Sequence, residues 1–129
     1  MGFMALPVLL QGCGSGLYYV DGKIINDRVQ VNKSDFSIGD EFREHIIVKF
    51  VSSAFPIVLY RFSDSEYSAL LLQCSHKGTE LSVNGDMLTC SGHGSEFNNR
   101  GDVLTGPADM PLISFSVTTD DKHVYIQLD

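Results

Sequence analysis

Apolar and polar positions alternate strictly at the C-terminal end of the chain. Val124, Ile126 and Leu128 are interleaved with His123, Tyr125 and Gln127, and Ile113, Phe115 and Val117 with Ser and Thr. A period of two is the mark of a half-buried strand. Further strands are expected at Val29–Val31, His45–Val51, Ile57–Phe62, Glu66–Gln73 and Met87–Thr89. Turn residues separate them at Ser63-Asp64, Arg100-Gly101 and Asp120-Asp121, because Gly, Asp, Asn and Ser accept turn backbone readily. Asn84-Gly85, between Leu81-Ser82-Val83 and Met87-Leu88-Thr89, predicts a hairpin. No window sustains a helical period, although Lys33 to Ile38 suffices for a single turn. The pattern predicts an all-β protein of two or three stacked antiparallel sheets.

Length keeps this picture small. With 129 residues, 43% of them hydrophobic, there is material for one domain with a modest core. A formal charge of −7 excludes a nucleic-acid binder, since phosphate contacts need a basic face, and permits a basic protein partner. There is no internal repeat.

Candidate chemistry gathers in two short motifs, Cys74-Ser75-His76 and Cys90-Ser91-Gly92-His93. Thiolate sulfur and imidazole nitrogen are metal ligands, and four of them suit a tetrahedral zinc ion. A zinc finger usually carries its Cys on one arm and its His on the other. Here each arm supplies one Cys and one His. That distribution suits two bridged irons, with both thiolates on one and both imidazoles on the other.

On these motifs, with Gly94, Ser95 and Gly106-Pro107-Ala108 after them, residues 74–108 resemble a Rieske [2Fe-2S] domain, and the likeness runs over roughly the last two thirds of the chain. It implies stacked antiparallel sheets with two cluster-binding loops at one end, and a [2Fe-2S] cofactor held by Cys74, His76, Cys90 and His93. Two thiolates and two neutral imidazoles leave the oxidised cluster uncharged, so it accepts an electron more readily than an all-thiolate cluster. Rieske potentials accordingly span about −150 to +300 mV, against about −400 mV for plant-type ferredoxins.

The resemblance also implies tuning residues. Ser95 stands where the family places a hydroxyl donor to a bridging sulfide, while Phe97 stands where high-potential members place a Tyr that donates to a Cys sulfur. One donor kept and one missing implies an intermediate potential. Gly106 and Pro107 belong to a segment that folds over the cluster and limits water access. Members in cytochrome bc-type complexes carry an extra Cys in each loop, forming a disulfide; Thr79 and Gly92 occupy those positions here. Lys77 follows the first His, where those members present an apolar residue to quinol. A charge disfavours burial in an apolar quinol pocket. The expected role is electron exchange with a protein partner, docking at His76, His93 and Lys77.

The N-terminus ends its apolar run in Leu10-Gln11-Gly12-Cys13, too short to span a bilayer. It is similar to a bacterial lipoprotein signal, whose Cys becomes the lipidated first residue. With Cys74 and Cys90 committed to iron, Cys13 has no partner within the chain. The expected organisation is a signal remnant at 1–12, a lipid-anchor site and linker at 13–27, and the Rieske domain at 28–129. Export and anchoring in a bacterial envelope follow from this reading; a cytoplasmic protein with an ordinary apolar N-terminal strand is the alternative.

Three functional classes follow. The first is a one-electron carrier, and the second a ferredoxin component or small subunit serving an oxygenase or other oxidoreductase. The third is a structural Cys2His2 zinc module. A catalytic role for the chain alone has no residues to carry it: His45 and His123 sit in alternating strands, and Asp64/Glu66 and Asp120/Asp121 read as solvated turn residues.

Overall fold

A computed structural model describes residues 16–128. The 1–12 segment and Cys13 lie outside the described residues, and so does any anchor there. The strands are β1 Tyr19–Asp21, β2 Lys23–Ile25, β3 Arg28–Asn32, β4 Ser37–Ile38, β5 Glu41–Phe42, β6 His45–Lys49, β7 Ile57–Arg61 and β8 Tyr67–Leu71. They continue with β9 Ser82–Asn84, β10 Met87–Thr89, β11 Glu96–Asn98, β12 Val103–Thr105, β13 Ser114–Phe115, β14 Val117–Thr119 and β15 His123–Gln127. A single 3-10 turn at Lys33–Phe36 is the helical content of the described residues.

The middle layer is a five-stranded sheet in the order β1-β6-β7-β8-β13. Its neighbours are two four-stranded sheets, β14-β15-β3-β2 and β12-β11-β10-β9, with a small β4-β5 ribbon beside them. Alternate side chains of the middle sheet divide between two cores. Ile46, Val48, Ile57, Leu59 and Ala69 pack with Val29, Phe36, Val124 and Ile126. Ile47, Val58, Tyr60 and Leu70 pack with Leu81, Leu88, Cys90 and Phe97. Burial on both faces explains why β7 reads as the continuous apolar run Ile57-Val58-Leu59-Tyr60.

The predicted hairpin forms, with Leu88 opposite Val83 and the turn at Gly85-Asp86. Tyr60, almost wholly buried, donates its hydroxyl to the Gly85 carbonyl at 2.7 Å, tying this turn to the middle sheet. Burial pushes the Tyr60 phenol far up, so it stays a donor.

Three expectations need correction. The linker placed at 13–27 with the domain starting at 28 is too long, because Tyr19–Asp21 and Lys23–Ile25 are strands paired with β6 and β3. Gly22, read as linker, is the corner where the chain passes from the middle sheet to the outer one. A Cβ there would run into methyls of Val29 and Val48. Second, the sheets are not wholly antiparallel: β1 runs parallel to β6. Third, the alternation at 113–117 spans two sheets, with β13 on β8 and β14 on β15.

Candidate metal centre

The two loops that carry the Cys–His motifs are built on one plan. The first, residues 74–79, follows β8; the second, residues 90–95, follows β10. In each, the Cys N–H donates to the carbonyl five residues on, Cys74 to Thr79 at 2.7 Å and Cys90 to Ser95 at 2.9 Å. The N–H of the fifth loop residue returns to the Cys carbonyl, Gly78 to Cys74 at 2.9 Å and Gly94 to Cys90 at 3.0 Å. Gly78 and Gly94 close these turns at φ of +75° and +83°, a region that glycine enters without steric cost.

This plan sends sulfur inward and imidazole outward. Cys74 and Cys90 are free thiols with 2% and 3% of their surface exposed, part of the core beneath the β9–β12 sheet. His76 and His93 are exposed, their rings edge to face with centroids 5.4 Å apart. The four side chains thus divide into a buried sulfur pair and an exposed imidazole pair; among the described residues no three or more His, Cys, Asp or Glu side chains stand close enough together to hold a single metal ion.

The Cys90 environment favours the thiolate. Burial raises its pKa, but N–H groups of Gly92 and His93 and the side chains of Cys74 and Thr79 outweigh that and lower it overall. The His76 N–H likewise points at the Cys74 sulfur, 3.4 Å away. A thiolate is the form that binds metal. Buried soft donors, an exposed imidazole pair and sulfur-directed N–H groups together fit a [2Fe-2S] cluster.

Ser95 is fully buried, and its hydroxyl oxygen accepts the Ala108 N–H at 3.0 Å. Its own hydrogen is therefore directed elsewhere. Phe97 on β11 is also fully buried, against the Leu88–Cys90 side of the core. Gly106 and Pro107, joined by a cis peptide bond, are exposed. The buried member of that segment is Ala108. Ser75 donates to the Met110 carbonyl at 2.6 Å, fastening the same segment to the first loop. Ser75 carried no signature of its own in the sequence, and Ala108 stood out only as the last residue of Gly106-Pro107-Ala108.

Lys77 is exposed beside His76. Among the described residues, five other cations (Arg28, Arg43, Lys49, Arg61 and Arg100) lie over aromatic rings, and Lys33 pairs with Asp64. His123 bonds to Asp120 within its turn, and Glu66 pairs with Arg100. His45 packs on Tyr60, centroids 5.2 Å apart, and burial lowers its pKa.

The Rieske [2Fe-2S] domain profile matches residues 31–116, two thirds of the chain, and the chain belongs to that family. It is an electron-transfer Rieske protein whose cofactor is a Rieske-type [2Fe-2S] cluster. Solved structures with a similar fold include the cyanobacterial plasma membrane Rieske protein PetC3 from Synechocystis PCC 6803, at 20% identity and TM-score 0.56 over 66% of this chain and 87% of that one. Another is a chain of the complex of reduced oxygenase and oxidised ferredoxin in carbazole 1,9a-dioxygenase, at 26% identity and TM-score 0.58 over 80% of this chain and 94% of that one. Naphthalene 1,2-dioxygenase with indole bound matches at 20% identity and TM-score 0.55 over 66% of this chain and 22% of that one. No curated protein sequence matches the chain.

Proposed function

We propose that Cys74, His76, Cys90 and His93 hold the cluster, the thiolates on one iron and the imidazoles on the other, and that the imidazole edge meets a redox partner protein. The observation that carries this is the separation of the four side chains into a buried sulfur pair and an exposed imidazole pair on two loops of identical hydrogen bonding. When bound, the cluster supplies a one-electron couple. The protein excludes water from the sulfurs, presents His76 and His93 at the surface and adds Lys77 as a charge for orienting the partner. No quinol pocket is needed for such an exchange.

Two settings suit this carrier. Service to an oxygenase as its ferredoxin is supported by the likeness, over 80% of this chain and 94% of that one, to a chain of the carbazole 1,9a-dioxygenase complex. An exported carrier anchored through Cys13 is supported by Leu10-Gln11-Gly12-Cys13. No helix among the described residues is long and apolar enough to cross a membrane. The protein's mass in its native host separates the settings, since an acylated Cys13 adds the mass of its lipid.

Anaerobically purified protein is expected to contain iron and acid-labile sulfide in equal amounts, about two of each per chain, and to give a reduced-state electron-spin signal. Zinc without inorganic sulfide overturns the reading. Tuning is tested separately through Ser95. Its hydroxyl accepts from Ala108 and keeps its hydrogen for a bridging sulfide, so Ser95→Ala is expected to retain the cluster and lower its midpoint potential. An unchanged potential would mean that Ser95 serves only to fasten Ala108.

A further inference from the structure

The shared plan of the two loops puts a hydroxyl residue in the same place in each, five positions after the Cys: Thr79 in the first loop and Ser95 in the second. Their backbone carbonyls do the same work. Their side chains do not. The Ser95 oxygen is engaged by Ala108. The Thr79 hydroxyl instead faces the opposite loop across Gly92.

Gly92 is what opens that path. The point where a Cβ would stand on Gly92 lies 3.6 Å from Thr79 Oγ1 and 3.7 Å from Cys90 Sγ. Hydroxyl and sulfur thus flank one empty point with no side chain between them. Phe97 has no hydrogen to donate to a sulfur, so Thr79 is a hydroxyl donor that does not come from β11.

We propose that Thr79 is a tuning residue whose hydroxyl donates across the two loops to the Cys90 sulfur and holds the reduced state of the cluster more firmly than the oxidised one. This rests on the reading above that Cys90 is a cluster ligand. The physical ground is charge. One electron from the partner, with no bond made or broken, would make the bound cluster one unit more negative as a whole, and hydrogen bonds to charged acceptors are roughly twice as strong as neutral ones. Removing the donor therefore disfavours reduction. Thr79 and Gly92 are the positions where bc-type relatives carry their disulfide, so the contact from Thr79 to Cys90 braces the same two loops without a covalent bond.

The test compares Thr79→Val and Thr79→Ser with the wild-type protein, quantifying iron and sulfide in each before optical redox titration. Val keeps the shape of Thr and loses the hydroxyl; Ser keeps the hydroxyl. Thr79→Val is expected to hold a full cluster while its reduction equilibrium falls roughly tenfold, which is about 59 mV for one electron. Thr79→Ser is expected to stay near the wild-type potential. A fully loaded Val variant at the wild-type potential, or a Ser variant as low as Val, overturns the proposal. Should Val load poorly, Thr79→Ala takes its place, and an Ala variant at the wild-type potential overturns it equally. A wild-type protein without iron and sulfide would overturn the ligand reading itself, a result distinct from a loaded cluster that ignores Thr79.

Discussion

Replacing Cys90 with alanine is expected to remove iron and inorganic sulfide together and to leave a colourless protein that melts on the order of 10 °C lower. The first effect follows from ligand count, because a cluster with one thiolate missing has an open iron at the edge of a core. The second follows from connectivity. Cys74 and Cys90 sit on loops joined through β9 and β10, and a shared metal core cross-links them much as a covalent bridge would. Closing a loop of about 15 residues stabilises a fold by about 3 kcal/mol in chain-entropy terms. Each kcal/mol moves the melting temperature of a domain this small by several degrees. Metal analysis and calorimetry on the same preparations check both parts, and retention of iron with sulfide in the alanine variant would reject Cys90 as a ligand.

Phe97→Ala is the substitution expected to harm the fold most without touching a ligand. Phe97 is fully buried on β11, opposite Leu88 in the register, within the core that also holds both thiols. Truncating a buried Phe to Ala removes about 3–5 kcal/mol through lost burial and an unfilled cavity. Against a total stability of about 5–15 kcal/mol, that is a large share. Chemical denaturation of the loaded protein should show a midpoint shifted accordingly with an unchanged slope. Phe97→Leu, which refills most of the space, should recover most of the loss. An alanine variant as stable as wild type would mean that the β9–β12 sheet contributes little to global stability.

Much of this architecture was legible because its signals are local. The strands β6, β7, β8 and β15 announce themselves through β-branched and aromatic runs, and the β9–β10 hairpin through its Asn-Gly turn. The two Cys–His loops stood out because sulfur and imidazole at short spacing have few other uses. What escaped depends on contacts between distant parts of the chain. Strands β1 and β2 are three residues each and interrupted by Gly22, so nothing in their pattern distinguishes them from a tether. Their pairing with β6 and β3 supplies the hydrogen bonds that hold them. Strands β11 and β12 escaped for the same reason: Glu96–Asn98 and Val103–Thr105 are too short for a period to register. At the site, Thr79 looked only like the absence of a cysteine. Its spacing from Cys74, equal to that of Ser95 from Cys90, was the available signal, but which way its hydroxyl faces depends on Gly92 in the other loop.

The bond from Tyr60 to the Gly85 carbonyl has a bearing on speed. It grips the turn at one end of the β9–β10 hairpin, while Ser75 and Ser95 tether the 106–111 segment beside the ligand loops at the other. A lobe secured at both extremities, over an interior of low compressibility, has little freedom to rearrange when its charge changes. Small nuclear displacement favours a low reorganisation barrier when an electron arrives or leaves.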